Sequence, residues 1–203
     1  MQKWSLAVLG LSTLWAQKVP RWDTLVVVET PRGTIRLQLY RQTPIHRANF
    51  IRLAKEGFYN GTTFHRVVPN FVIQGGDPNS KDEDPLNDGL GGPGYTLPAE
   101  FVAELRHEYG AVGAARQGDA INPKRESNGS QFYIVINKAG TPFLDGAYTV
   151  FGKVLEGMEV AEAIAQVTRD RADRPQEPIP MQVRLERRRV RDLVKRYGNA
   201  YKP

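Results

Sequence analysis

The sequence has no cysteine among its 203 residues and only three histidines. A chain without cysteine forms no disulfide, holds no zinc through thiolates and offers no thiol nucleophile. His46, His65 and His107 are scattered along the chain, so we predict no metal site and no cofactor. A Walker loop, an HExxH segment and a GxSxG elbow are also missing, which removes the usual signatures of nucleotide hydrolases, metalloproteases and serine hydrolases.

Long hydrophobic runs are missing as well. The longest uncharged, mostly apolar stretch is Trp4–Ala16, 13 residues that follow Lys3, whereas a helix needs about 20 residues to cross a bilayer. Such a stretch is typical of the apolar part of a signal peptide. We therefore predict a signal peptide over residues 1–16, a linker over 17–24, export to the periplasm or cell envelope, and no stable membrane anchor. The alternative is a buried N-terminal helix in a cytoplasmic protein.

The net charge of +6 is confined to the end of the chain. Residues 184–203 hold eight Lys and Arg side chains against Glu186 and Asp192, so this stretch accounts for the whole excess. The remainder of the chain is neutral, which is unlike a nucleic-acid-binding domain. We therefore expect no nucleic-acid partner.

Residues 188–203 are predicted to form a basic C-terminal helical tail. Val190, Leu193, Val194 and Tyr197 recur with the spacing of one helix face, and Gly198 follows as a C-cap. The favoured interpretation is a solvated helix that packs this apolar face on the body of the protein. The alternative is a contact surface for anionic lipid, nucleic acid or an acidic partner.

The body of the chain has the patterning of a mostly β protein. Leu25–Glu29 is apolar and β-branched, a Pro-Gly turn follows, and residues 35–40 alternate between apolar and polar, as in two paired strands. Helical spacing occurs after Pro44 and over Met158–Val167. Short apolar runs cut by glycine and proline follow one another elsewhere, at residues 62–68, 71–74, 110–115, 131–136, 150–154 and 181–185. This pattern predicts a closed antiparallel β-barrel capped by two α-helices.

Three segments are rich in residues that ordinary packing does not require. Residues 64–77 read FHRVVPNFVIQGGD, GAAR at 113–116 is followed by NGSQFYI at 128–134, and residues 143–154 contain FLDG and VFGKV. In this order and spacing they resemble the bacterial-type cyclophilin family of peptidyl-prolyl cis–trans isomerases, from Leu25 to Glu186. The resemblance implies an eight-stranded antiparallel barrel with a helix at each end. We place the isomerase domain at residues 25–187.

The residue types in these segments suit the isomerisation of an X-Pro bond. Rotation breaks amide resonance at a cost of about 18–20 kcal/mol, but no bond is made or cut. The reaction therefore needs no nucleophile, base or metal. It needs a hydrogen-bond donor aimed at the prolyl nitrogen and an apolar slot that grips the ring, so that the twisted state is bound best.

The resemblance also implies a role for each residue of the site. Arg66 is the catalytic donor and Gln74 orients it, whereas an isolated Arg66 would be interpreted as a surface residue in a salt bridge. Gln131 binds substrate, and Ala115 and Arg116 form the edge on which substrate backbone pairs. The apolar residues of the proline pocket, which could otherwise be plain core, are Phe71, Val72, Tyr133 and Leu144. Phe143 and Tyr148 complete the substrate-binding set.

Several positions differ from those of many eukaryotic members of the family. Those members carry Trp at Phe143, His at Tyr148, Asn at Arg116, Met at Val72 and Phe at Tyr133, whereas bacterial members often have Phe and Tyr at the first two. The pocket stays aromatic, so activity is expected. The indole N–H that family members use to hold cyclosporin is missing, so we predict weak cyclosporin binding.

The resulting prediction is a monomeric enzyme that accelerates rotation about X-Pro bonds in proline-containing client proteins and so assists their folding. The alternative is a non-catalytic cyclophilin-fold module that binds Pro-containing segments. A long loop over residues 77–98 carries Asp82, Glu83, Asp84 and Asp88. Its acidity either serves solubility or favours basic clients.

Overall fold

The structure is a computed structural model that describes residues 19–202. The predicted signal peptide, residues 1–16, lies outside the described residues. Within them, the main sheet has eight strands in the order β10-β1-β2-β9-β6-β8-β4-β3, all paired antiparallel. These strands are β1 Trp22–Thr30, β2 Gly33–Leu39, β3 Arg66–Val68, β4 Val72–Gly75, β6 Ala111–Ala114, β8 Phe132–Val135, β9 Val150–Glu156 and β10 Gln182–Arg189. A small second sheet pairs β5 Thr96–Leu97 with β7 Ser127–Asn128.

The sheet closes on itself just before its two edge strands. The amide of Gly61 donates to the carbonyl of Met181 over 2.9 Å, and the amide of Phe64 donates to the carbonyl of Ile179 over 3.0 Å. The Met181 amide returns a bond of 2.8 Å to the carbonyl of Thr62. Because these bonds join the β3 side to the β10 side, the edges are paired and the predicted eight-stranded barrel is confirmed.

Three α-helices accompany the barrel in the described residues: α1 Pro44–Lys55, α2 Met158–Ala165 and α3 Val190–Tyr197. Helix α1 turns Phe50 and Leu53 towards the barrel core, and α2 turns Ala161 and Ile164 towards the same core. None of the helices in residues 19–202 has the length and apolarity needed to cross a membrane.

Both ends of the barrel domain differ from the prediction. Strand β1 begins at Trp22 instead of Leu25, so Trp22–Thr24 belong to the barrel and not to a linker. Strand β10 continues to Arg189 instead of ending before the tail. Both strands are longer than predicted because each supplies hydrogen-bonding partners to the other: Trp22 pairs with Arg189 and Asp23 pairs with Arg188.

The basic tail packs on the outside of this strand pair. Val190 and Leu193 of α3 are buried against Leu25 and Tyr201, as the favoured interpretation of the tail predicted, while Val194 stays 45% exposed. This contact explains why residues 25–28 of β1 are all apolar: Val26 and Val28 face the barrel core, while Leu25 on the opposite face meets the tail.

Polar contacts fasten the last residues of the tail to the barrel. The Tyr201 hydroxyl donates to Asp23 over 2.6 Å, and the Lys202 amide donates to Oε1 of Gln38 over 3.0 Å, while Nε2 of Gln38 donates back to the Lys202 carbonyl. Asp23 is 3% exposed and also accepts from Arg41 at 3.0 Å and Arg47 at 2.7 Å. We call this set of contacts the tail latch.

Candidate active site

The register of four neighbouring strands builds one surface of the candidate site. Arg66 on β3 is the cross-strand partner of Gln74 on β4, Gln74 is the partner of Tyr133 on β8, and Tyr133 is the partner of Gly113 on β6. Side chains alternate between the faces of a strand, so this row shares the face opposite the barrel core. The residues between them, Val67, Ile73 and Ile134 among others, are completely buried in the core.

A groove runs over this row. The structure brings nine of the predicted site residues together along it: Arg66, Phe71, Val72, Gln74, Ala115, Arg116, Tyr133, Leu144 and Tyr148. They come from β3, β4, β8, the segment after β6 and the turn before β9, so distant parts of the chain meet here. The buried ring of Tyr133 packs edge-on to Tyr148, with ring centroids 6.2 Å apart, and gives the groove an aromatic wall.

Arg66 borders this apolar groove with its guanidinium held by Gln74. Nη1 of Arg66 donates to Oε1 of Gln74 over 3.4 Å. In residues 19–202, no carboxylate pairs with Arg66, so the salt-bridge interpretation of this arginine is wrong. The side chain is half-buried and keeps donors free, since a guanidinium carries five N–H groups.

Gln131 lies behind the groove instead of lining it. Its Oε1 accepts from Nε2 of Gln74 over 2.9 Å, while its own Nε2 donates to the carbonyls of Gly89 and Gly91 over 3.0 and 2.8 Å. The side amide is thus engaged inside the protein, and only 3% of the residue is exposed. Gln131 therefore connects the Arg66–Gln74 pair to the long loop. It also lines an adjoining cleft that shares Gln74, Ala115 and Arg116 with the groove, so the substrate contact stays a prediction.

That loop is anchored by one buried carboxylate. Asp77 accepts from the amides of Asn79 and Gly91 over 2.8 and 3.1 Å. A Cβ on Gly91 would lie 2.1 Å from Oδ1 of Asp77, so this close approach requires glycine. Of the loop's acidic residues, Asp88 forms a largely buried pair with Arg174 at 2.8 Å, so it is not part of an exposed acidic patch.

Arg116 lines the groove with a guanidinium that is already tied down. Nε donates to the Ala147 carbonyl over 2.7 Å, Nη1 pairs with Asp119 at 2.6 Å, and the guanidinium carbon lies 4.3 Å from the centre of the Tyr148 ring. The side chain braces the wall formed by Tyr148, so its charge does not point freely at a substrate.

Ala115 lines the groove with backbone groups that are already bonded, whereas Phe143 lies at its rim. Ala115 uses its amide for the Gln131 carbonyl at 3.0 Å, and its carbonyl accepts from the Asn128 amide at 2.8 Å. A substrate backbone can use only the second lone pair of that carbonyl. Phe143 is 71% exposed and stacks on Phe71 with ring centroids 5.8 Å apart. It therefore lies at the rim of the groove and not in its lining.

Sequence reasoning missed two residues under the groove. His107 contacts the Tyr133 hydroxyl with Nε2 and Asp145 with Nδ1, both over 2.8 Å. Asp145 belongs to the FLDG segment that the sequence singled out, so its position was visible, but its partner His107 carries no local signal. No group of three His, Cys, Asp or Glu residues suitable for a metal ion occurs among the described residues.

Comparison with known proteins agrees with this geometry. Residues 25–184 match the family model for cyclophilin type peptidyl-prolyl cis-trans isomerase/CLD. The chain belongs to this family. It is a peptidyl-prolyl cis–trans isomerase, and the enzyme class that the motifs predicted is confirmed.

Individual cyclophilins resemble the chain over most of its length. Peptidyl-prolyl cis-trans isomerase ppi1 of Schizosaccharomyces pombe is 39% identical over 156 residues, which cover 76% of this chain and 93% of that protein. Peptidyl-prolyl cis-trans isomerase B of Bacillus subtilis is 45% identical over 130 residues, covering 63% and 80%. A cyclophilin of Cryptosporidium parvum, crystallised in the presence of the dipeptide Ala-Pro, superposes with a TM-score of 0.70 at 29% identity, covering 80% and 98%.

The three histidines of this cyclophilin predict how its stability depends on pH. Burial is the main cause that lowers the pKa of His46, His65 and His107 below the ordinary value of 6.5. The unfolded chain therefore takes up protons before the folded one does, and the associated stability is complete above pH 6.5 and is lost as the pH falls below it. Each excess proton contributes a slope of about 1.4 kcal/mol per pH unit.

We expect the free energy of unfolding in urea to fall steadily between pH 7 and pH 5. Urea titrations at pH 7.5, 6.5, 5.5 and 5.0 measure it directly. A value that stays constant or rises over this range would contradict the prediction.

Proposed function

We propose that this cyclophilin isomerises X-Pro bonds with Arg66 as the donor to the prolyl nitrogen and the groove of Phe71, Val72, Tyr133 and Leu144 as the ring pocket. The observation that carries the proposal is an arginine that pairs with no carboxylate among residues 19–202 and lines the same groove as Phe71 and Leu144. As the amide twists, the prolyl nitrogen becomes pyramidal and basic. A guanidinium donor then binds the twisted state more strongly than either planar isomer, which lowers the barrier.

Gln74 and Gln131 hold this donor in place. Gln74 accepts from Arg66 and donates to Gln131, and Gln131 is fixed by the carbonyls of the anchored loop. The donor is thereby oriented before the substrate arrives, so little of the binding energy is spent on arranging it. Arg116 supports the opposite wall by holding Tyr148.

The proposal is tested by an isomerisation assay on wild type and Gln74→Ala. Wild type should accelerate cis–trans exchange of an Ala-Pro peptide at catalytic concentrations. Gln74→Ala should lower kcat/KM about tenfold, the effect of losing roughly 1.4 kcal/mol of transition-state binding. Gln176→Ala, at an exposed glutamine outside the groove, is the matched control and should match wild type.

The outcomes separate the enzyme from the binding module. Wild-type protein that binds the peptide without accelerating exchange would leave only a non-catalytic module. Equal losses of kcat/KM in Gln74→Ala and Gln176→Ala would show that Gln74 has no specific role in the site.

We infer that the clients are proline-containing chains in the cell envelope. The apolar segment Trp4–Ala16 after Lys3 supports export, and N-terminal sequencing of the protein from that compartment tests it. The basic stretch at residues 184–203 does not favour a nucleic-acid partner, because Arg184 pairs with Glu29 at 2.8 Å and Arg188 pairs with Glu186 at 2.8 Å. These pairs reduce the field that a polyanion would meet.

Cyclosporin should bind this protein only in the micromolar range or more weakly. Phe143 stands at the rim with a bare ring stacked on Phe71, and a phenyl ring donates no hydrogen bond. Isothermal titration of the purified protein measures the affinity. Phe143→Trp should bind more tightly than wild type, and nanomolar binding by wild type would contradict the prediction.

A further inference from the structure

A buried histidine connects the two walls of the proline pocket. Nε2 of His107 lies 2.8 Å from the hydroxyl of Tyr133 on β8, and Nδ1 lies 2.8 Å from Oδ1 of Asp145. The same Oδ1 accepts the His107 amide over 2.9 Å. Asp145 directly follows Leu144, which lines the other side of the pocket. One imidazole thus contacts both sides of the groove from behind.

The chemistry of the partners assigns the protons. Interactions with the His107 amide and ring help hold the pKa of Asp145 below its ordinary value although burial opposes this, so the carboxylate accepts only. Nδ1 of His107 must then carry the proton. Burial keeps the imidazole neutral by lowering its pKa. The bare Nε2 is therefore an acceptor, and the Tyr133 hydroxyl donates to it.

The barrel has room for this hydroxyl only because a side chain is missing opposite it. A Cβ on Gly113, the cross-strand partner of Tyr133, would lie 2.3 Å from Cζ and 2.5 Å from the hydroxyl oxygen. Burial also raises the pKa of Tyr133 well above its ordinary value, so the phenol stays protonated. Gly113 therefore leaves the space in which the Tyr133 hydroxyl reaches His107. The hydroxyl proton is used in the hydrogen bond to the imidazole.

We propose that His107 is a positioning residue for the isomerase, which fixes the Tyr133 ring as the wall of the proline pocket through the Tyr133 hydroxyl. The inference rests on the proposed function, because it assumes that the prolyl ring enters this groove. With its hydroxyl committed, Tyr133 presents only its ring to the substrate and the pocket stays apolar. Without the acceptor, a buried hydroxyl lacks a partner, which is costly, and the ring must leave its place to regain one.

A purely structural histidine is available for comparison. His46 is equally buried, its Nδ1 meets the carboxylate of Glu100 at 2.6 Å, and its Nε2 meets the hydroxyl of Ser127 at 2.9 Å. It has the same pattern of partners as His107, but neither partner lines the groove. A substitution that matters only for stability should therefore act alike at both positions.

The experiment uses replacements that keep one half of the imidazole. Asparagine at 107 keeps an N–H near Nδ1 for Asp145 and removes the acceptor for Tyr133, whereas glutamine places an acceptor near Nε2. We expect His107→Asn to lower kcat/KM for an Ala-Pro peptide about tenfold and His107→Gln to stay within about threefold of wild type. His46→Asn should lower the melting temperature without changing kcat/KM more than about twofold.

A double-mutant cycle decides whether the effect passes through the hydroxyl. In a Tyr133→Phe background, His107→Asn should change kcat/KM by less than about twofold, because no hydroxyl remains to be held. An effect of the same size in both backgrounds overturns the proposal, as does full activity of His107→Asn alone. All variants are assayed at low temperature, with melting curves showing that each is folded.

The same data distinguish this proposal from the proposed function. If wild type does not accelerate isomerisation, the proposed function fails and the proposal falls with it. If wild type is active, His107→Asn matches it and Gln74→Ala does not, only the role of His107 is wrong.

Discussion

Replacing Arg66 with alanine is expected to lower kcat/KM for X-Pro isomerisation about 10²- to 10³-fold, the usual effect of removing one preorganised donor from a developing charge. The groove retains its apolar lining in this variant, so peptide should still bind. The loss should therefore fall mainly on kcat. Exchange spectroscopy on an Ala-Pro peptide at saturating and subsaturating concentrations separates the two parameters.

Two further variants make the Arg66 result specific. Arg66→Lys keeps the charge but loses the planar fork that reaches both Gln74 and a substrate, so it should retain most of the defect. Arg36→Ala removes an arginine on β2 that pairs with Glu156 at 3.0 Å, on a strand that does not line the groove, and should keep wild-type activity. Activity of Arg66→Ala within threefold of wild type would remove this residue from the mechanism.

Replacing Asp23 with asparagine is expected to reduce the free energy of unfolding by about 3 kcal/mol, because the change removes the charge that two arginines and a tyrosine share in a buried site. For a domain of this size that corresponds to a fall in melting temperature of roughly 6–12 °C. Thermal unfolding followed by circular dichroism measures it.

The tail latch offers a graded control for Asp23→Asn. Tyr201→Phe deletes only the hydroxyl that donates to Asp23 and should cost about half as much. Asp192→Asn changes an exposed carboxylate whose only ion pair within residues 19–202 is with the neighbouring Arg191, and should shift the melting temperature by no more than about 1–2 °C. Equal shifts for Asp23→Asn and Asp192→Asn would mean that the latch does not stabilise the fold.

The sequence allowed the barrel and most of the groove to be predicted, because the signals for both are local. Alternation of apolar residues marks strands, and the FHRVVPNFVIQGGD segment places Arg66 and Gln74 eight residues apart on a single hairpin. Their pairing across β3 and β4 follows from the short turn between them. In the same way, the segments at residues 128–134 and 143–154 allowed Tyr133, Leu144 and Tyr148 to be predicted as site residues.

What escaped prediction depends on contacts between distant parts of the chain. The motif indicated Gln131 but not its bonds to carbonyls some 40 residues earlier. His107 meets Tyr133 across 26 positions, and Tyr201 meets Asp23 across 178. Periodicity records which face of an element is apolar, but it does not record which polar atoms another segment brings to that face.

The pairing of β1 with β10 also determines when this protein can finish folding. The two strands come from opposite ends of the described chain, so Trp22 cannot pair until Arg189 has been synthesised. Until β10 has left the ribosome, the valine-rich edge of β1 lacks this neighbour, and such an unpaired edge attracts other chains. Pairing over so many residues is also slow. A newly made chain therefore cannot complete the barrel until residues 182–189 have been synthesised.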